Sequence, residues 1–250
     1  MIDTPVIDFH FHVGSWGRYG MDDDPALSLR VMDAAGIDKA CANCIFHGDA
    51  SRGNDLVSKW VTQWPDRFIG VAFVTPHYPE EMIPELERAF DKLGMKFIKI
   101  YPTYFGRPQD DPAYFPVYEW ANERGLSVMS HATYSFDDKT VSIPKRYYAL
   151  SKRFPQVNWV MAHAGGSKSQ GAIEAARDLP RVYLETCGSS LQGIEFAVNG
   201  AGEDRVLFGT DMPLLDGIQQ LAKVVTADIS DAAKRKVLGL NAIRLLKLEA

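Results

Sequence analysis

Eight short apolar runs recur at roughly thirty-residue intervals along the 250 residues of the chain, each followed by a stretch of helical spacing. Strands separated by helices in this way pair in parallel through right-handed crossovers. Eight such units in this length predict a (β/α)8 TIM barrel, a single domain over residues 1–250. The competing doubly wound sheet often opens on a Gly-rich turn. Here the first strand runs into Val13-Gly14-Ser15-Trp16, with no G-x-G-x-x-G. No linker, low-complexity tract or shift in composition divides the chain.

The first strand, 6–13, alternates. Asp8, His10 and His12 form one set; Ile7, Phe9, Phe11 and Val13 form the other. Residues two apart on a strand share a face, so the three polar groups are expected together. A helix over 25–36 carries Leu27, Val31, Met32 and Ala35 at helical spacing and closes on Gly36. A strand at 40–46 follows, then a helix at 55–64 stopped by Pro65, a strand at 68–74 and a helix at 80–93 stopped by Gly94. Strand 97–101 runs into Pro102 and a loop, 103–112, rich in Pro, Gly and Asp. Helix 114–124 ends at Gly125. Strand 126–132, helix 147–154 behind Pro144, strand 157–162, helix 172–179, strand 182–187 and a shorter helix at 194–198 come next. The eighth strand, 206–209, leads into Thr210-Asp211-Met212-Pro213, and helices at 217–226 and 231–248 finish the barrel.

Composition excludes several classes. Apolar residues make up 46% and charged residues 24%, as in ordinary globular proteins. A net charge of −5 offers no basic surface to nucleic acid or to an anionic membrane. No apolar run is long enough to span a bilayer. Asp3 stands where a signal peptide carries positive charge, so no targeting segment is expected. Three cysteines, Cys41, Cys44 and Cys187, fit a reducing cytoplasm better than a disulfide scaffold. Cys41 and Cys44 lie three apart on a strand and therefore face opposite sides, which argues against a zinc pair.

His-x-His on a strand sets two imidazoles side by side. That suits a divalent metal, or two satisfied core histidines. The other histidines favour the metal. His47 follows the second strand and His77 the third; His131 ends the fifth and His163 the sixth. All six thus fall at or just beyond the C-terminal ends of strands. In a β/α barrel those ends form one rim, and the active site lies on it. Asp211, ending the eighth strand, belongs to the same rim beside the first strand, although an Asp there could also be a helix cap.

These residues resemble the amidohydrolase superfamily. The resemblance is carried by Asp8-x-His10-x-His12, by the histidines ending the fifth and sixth strands, and by Gly209-Thr-Asp211-x-Pro213. Within the superfamily they are most similar to the metal-dependent hydrolases related to aminocarboxymuconate-semialdehyde decarboxylase. Val237-Leu-Gly-Leu-Asn241-Ala-Ile-Arg-Leu-Leu246 resembles that branch's closing helix. The resemblance covers essentially the whole chain. It implies His10, His12, His131 and Asp211 as ligands of one divalent ion, zinc in the first place and manganese in the second, with His163 close by. Such an ion lowers the pKa of a bound water. Asp211 would orient that water and take its proton, and His163 would hydrogen-bond it or stabilise charge on an attacked carbonyl oxygen.

Phe97-Ile-Lys99-Ile-Tyr101-Pro102 resembles the fourth strand of the binuclear members, where a carboxylated lysine bridges two metals. On that alternative His131 and His163 serve the second ion. Otherwise Lys99 is an interior cation paired with Asp8 or Glu185, or a group that receives a substrate carboxylate. Glu185, inside the seventh strand, needs a partner. Lys99, Tyr101 and Glu185 are the substrate-side candidates. His47, His77, Trp16, Arg18, Tyr19 and Arg107 are further rim residues.

The resemblance implies a cytoplasmic enzyme with a small-molecule substrate. Hydrolysis of a small amide, lactone or ester is the first reading, because the branch's decarboxylases tend to be longer than this compact chain. Non-oxidative decarboxylation of an aromatic or unsaturated carboxylic acid is the second. A non-catalytic small-molecule-binding barrel is disfavoured, since every expected ligand position holds a suitable residue. The helical exterior, with several aromatics, would permit a homodimer.

Overall fold

The computed structural model describes residues 3–16, 24–132, 144–163 and 170–249. Strand and helix alternate in the order β1 (Ile7–His12), α1 (Pro25–Ala35), β2 (Lys39–Asn43), α2 (Ala50–Gln63), β3 (Phe68–Phe73), α3 (Pro79–Asp91), β4 (Phe97–Ile100), a short α4 (Pro102–Phe105) and α5 (Phe115–Arg124). They continue as β5 (Ser127–His131), α6 (Tyr147–Arg153), β6 (Asn158–Ala162), α7 (Gln170–Asp178), β7 (Val182–Glu185), α8 (Leu191–Ala201), β8 (Val206–Leu207), α9 (Gly217–Thr226), α10 (Asp231–Arg235) and α11 (Asn241–Leu246). The eight strands form one parallel sheet in chain order. Phe9 N–H donates to Phe208 O at 2.9 Å, Asp211 N–H to His10 O at 2.8 Å and His12 N–H to Met212 O at 2.7 Å. These bonds bring the last strand and its extension against the first, in a nearly closed barrel. Among the described residues, no helix is long and apolar enough to cross a membrane.

The helix ends follow local chemistry. Asp24 caps α1 by accepting from Ala26 N and Leu27 N, and Gly36 closes it with φ 73°. α2 begins five residues earlier than its apolar spacing predicts, because Asp49 caps it. Gly53 and Asn54, which look like breakers, are buried in its first turns. A Cβ on Gly53 would lie 2.9 Å from Cys44 O. The Asn54 side chain bonds both Phe73 N and Phe73 O. α8 is likewise longer than expected, with Ser190 as its cap. The loop expected at 103–112 contains the last turn of α4.

The helix expected over 231–248 is interrupted by a π-helical turn, Lys236–Leu240. There Val237 O accepts Phe208 N–H from the edge of β8 at 2.9 Å, and Asn241 bonds Val206 O at 2.8 Å. The widened turn thus directs one carbonyl and the Asn241 side chain to the barrel.

β1 departs most from its sequence reading. Asp8 pairs with Ala40 but Phe11 with Ala42, so three steps on β1 oppose two on β2. This is a β-bulge. Ile7 and Phe9 sit in the barrel interior with Cys41, Val71, Phe97 and Met129, whereas Phe11 and Val13 pack under the helices. Asp8 therefore does not share a face with the imidazoles. It turns to β8 and accepts from Thr210 N at 2.9 Å and Thr210 Oγ1 at 2.5 Å. Cys41 and Cys44 fall in opposite clusters, as expected of positions three apart, and all three cysteines are buried and outside any disulfide.

A Cβ added at Gly239, in the π turn, would run into the Pro5 carbonyl oxygen, whereas Gly48 has open space around it. In urea denaturation, Gly239→Ala is expected to lose roughly 1–3 kcal/mol or more through overpacking, with Gly48→Ala close to wild type. Equal midpoints for the two variants would refute the packing account.

Candidate metal centre

The bulge delivers His10 and His12 to the inner rim, where both are buried. His10 Nδ1 lies 2.9 Å from Glu185 Oε2. Glu185 also accepts Cys187 N–H at 2.5 Å and His163 N–H at 3.3 Å. A carboxylate only accepts, so the His10 proton sits on Nδ1 and its Nε2 carries the lone pair. That Nε2 faces His12 Nε2 at 3.1 Å, Asp211 Oδ1 at 3.4 Å and the Lys99 ammonium at 2.9 Å. His12 Nε2 lies 3.0 Å from the same Asp211 oxygen. The His131 and His163 rings are 4.8 Å apart, and His163 is 5.1 Å from His10. Lys99 thus turns to His10, not to Asp8, which is engaged by Thr210; Glu185 pairs with His10.

The backbone is bent to reach this arrangement. His163 and Asp211 have φ of 57° and 62°, in the left-handed region that non-Gly residues seldom adopt. Such conformations persist where the surroundings over-determine them and tend to mark functional sites. For Asp211 the surroundings are visible: its N–H is held by His10 O and its C=O accepts from Leu214 N. Gly209 leaves room for Glu185, since a Cβ there would collide with the carboxylate.

Burial pushes the titrations of His10, His131 and His163 down, favouring their neutral forms. Burial lowers Lys99 to about 8. It raises Glu185 and Cys187. For Asp211 burial acts upward, but His10 and His12 outweigh it and the carboxyl stays ionised. Two imidazole lone pairs and a carboxylate oxygen thus meet within hydrogen-bond distances. This donor set fits a divalent ion that accepts N and O ligands. His12 Nδ1 is buried without a hydrogen-bond partner among the described residues, so nothing there fixes its tautomer against ligation through Nε2.

Aromatic rings flank the cluster. Tyr101 stacks on His131 at 4.5 Å and on Tyr104 at 4.1 Å. Phe46 approaches His12 at 5.4 Å and carries Trp16 at 4.7 Å. The remaining rim candidates stand aside. His47 lies near Asp49, at the start of α2. His77 Nε2 lies 3.1 Å from Tyr104 O and packs on Phe105. Arg107 pairs with Asp111 at 3.3 Å. Arg18 and Tyr19 lie outside the described residues. Sequence reasoning gave no site role to Phe46, Thr210 or Cys187. For Cys187 a signal existed: Glu185-x-Cys187 repeats the two-residue spacing of His10-x-His12.

The parallel barrel thus gathers histidines and an aspartate, a candidate metal site, at the C-terminal rim where β/α barrels carry their active sites. The chain belongs to the amidohydrolase family, whose model matches residues 7–248. It is 26% identical, over 78% of its length, to a 2-amino-3-carboxymuconate-6-semialdehyde decarboxylase of Dictyostelium discoideum, spanning 66% of that protein, just under two thirds. It is 25% identical, over 80% of its length, to a gamma-resorcylate decarboxylase of Polaromonas sp., spanning 76% of that protein. A crystal structure of a dihydroxybenzoic acid decarboxylase from Polaromonas sp., with manganese and 2-nitroresorcinol bound, shares the fold. Its TM-score is 0.79 at 18% identity, covering 99% of this chain and 98% of that one.

Glu185→Gln keeps the shape beside His10 but removes the charge that holds its tautomer. Metal affinity, measured by competition with a chromophoric chelator, is expected to fall roughly 10–100-fold with the circular dichroism unchanged. Unchanged affinity would show that Glu185 does not support the centre.

Proposed function

We propose that the chain is a metal-dependent non-oxidative decarboxylase of an aromatic or unsaturated carboxylic acid, with one divalent ion, manganese or zinc, held by His10, His12, His131 and Asp211. The observation that carries this reading is that two aromatic stacks, Tyr101–Tyr104 and Phe46–Trp16, abut the rim histidines His131 and His12. The decarboxylase relatives support it too. Compactness had favoured hydrolysis, but chain length reflects peripheral segments, while chemistry is set at the rim.

When bound, the ion supplies Lewis acidity to substrate oxygen atoms. The chain's own groups account for the rest. Tyr101 and Phe46 offer aromatic surface beside the histidines to a planar substrate. The Lys99 ammonium supplies a positive charge for a carboxylate. His163 Nδ1 faces Cys187 Sγ at 2.8 Å, so its Nε2 is the atom that would take up a solvent proton and pass it to the substrate carbon bearing the carboxylate. The carbon gains that proton, the bond to the carboxylate breaks, its electron pair returns to the ring or conjugated system, and carbon dioxide leaves. One proton is consumed and no electron acceptor is needed.

Dihydroxybenzoates and carboxymuconate semialdehydes are the substrates to assay. Carbon dioxide release, deuterium from heavy water at the vacated carbon and loss of activity with chelator are expected. His163→Asn should lower kcat by roughly 100-fold or more. Hydration of a lactone, ester or amide without carbon dioxide would restore the hydrolase reading.

Elemental analysis should find about one ion per chain. Two ions, with one lost in Lys99→Ala, would replace this arrangement with a carboxylated-lysine bridge.

A further inference from the structure

In the chemistry above Cys187 only faces His163, yet its side chain stands inside the centre. Its sulfur is fully buried, 2.8 Å from His163 Nδ1, 3.0 Å from Glu185 Oε2 and 3.4 Å from His10 Nδ1. His10, His163, Cys187 and Asp211 each place a donor atom within 4.8 Å of the other three. Two ligands of one metal ion stand roughly 3–4.5 Å apart, given metal–nitrogen and metal–sulfur bonds of about 2.0–2.3 Å. The four donors therefore span about the volume of a single coordination sphere.

We propose that Cys187 and His163, together with His10 and Asp211, form a second donor set that takes up a thiophilic divalent ion, such as cadmium, cobalt or zinc, as a Cys187 thiolate complex. This rests on the reading above of His10 and Asp211 as ligands of the first set, and shares those two residues with it. The two sets sort ions by softness. Imidazole and carboxylate suit manganese, which has little affinity for sulfur, whereas thiolate favours the softer ions. Binding replaces the thiol proton by the metal–sulfur bond, and that proton passes to solvent. An ion held this way also engages His163, so thiophilic ions are expected to oppose the activity that the harder ion supports.

Cobalt is the probe for the first test. Chelator-treated full-length chain titrated with cobalt(II) should develop a near-ultraviolet sulfur-to-cobalt charge-transfer band. Cys187→Ser should lack that band while still showing the visible d–d bands of bound cobalt. The wild-type chain loaded with cadmium-113 provides a readout that needs no variant: a thiolate ligand shifts the cadmium resonance strongly downfield. A wild-type chain with neither signal would overturn the proposal, as would a charge-transfer band that persists in Cys187→Ser. Neither readout requires decarboxylation. An inactive chain with both sulfur signals would therefore retire only the decarboxylase reading, and an active chain without them only this one.

Discussion

The Glu185 carboxylate is the contact on which the centre depends. It lies on β7, accepts from His10 of β1 and from the backbone beyond β6, and also binds the N–H of Cys187 on its own segment. A buried carboxylate is costly unless its oxygens are satisfied. Here three elements satisfy it, and in return it fixes which nitrogen of His10 carries a proton. Gly209 belongs to the same arrangement, because a side chain on β8 at that point would occupy the space of the carboxylate. Four of the eight strand positions around the barrel are thus constrained by one side chain that need not touch substrate.

Much of the fold was legible because barrel architecture repeats. Periodic apolar runs, Gly36 and Gly125 as helix stops, and Asp211 falling beside β1 all follow from spacing and turn chemistry. The helix ends that went astray have specific causes. Gly53 and Asn54 read as breakers until the strands they pack against are known, and a π turn leaves no periodic signature distinct from the helix around it.

The centre was legible only where its residues share a strand or end one. His10-x-His12 announces itself by alternation, and His131 and His163 by their place in the β/α period. The bulge that separates Asp8 from the two imidazoles is set by the register against β2, which no property of β1 alone reveals. The left-handed backbone of His163 and Asp211 is equally hidden: Asp and His adopt it more often than other non-Gly residues, yet still too seldom to be read from sequence. Cys187 pairs with a histidine 24 positions away in sequence, a neighbour only once β6 and β7 lie side by side.

The seam between β1 and β8 has a meaning in polymer terms. Asp8 and Thr210 are joined by two hydrogen bonds across 202 positions of chain. Tying such distant points removes a large share of the freedom of the unconstrained chain, though the penalty grows only logarithmically with loop length. His10, His12 and Asp211 straddle this same seam, so an ion bound by them would act as a cross-link across nearly the whole chain. It would resist unfolding as a long-range disulfide does, while leaving the chain free to reopen whenever the ion departs.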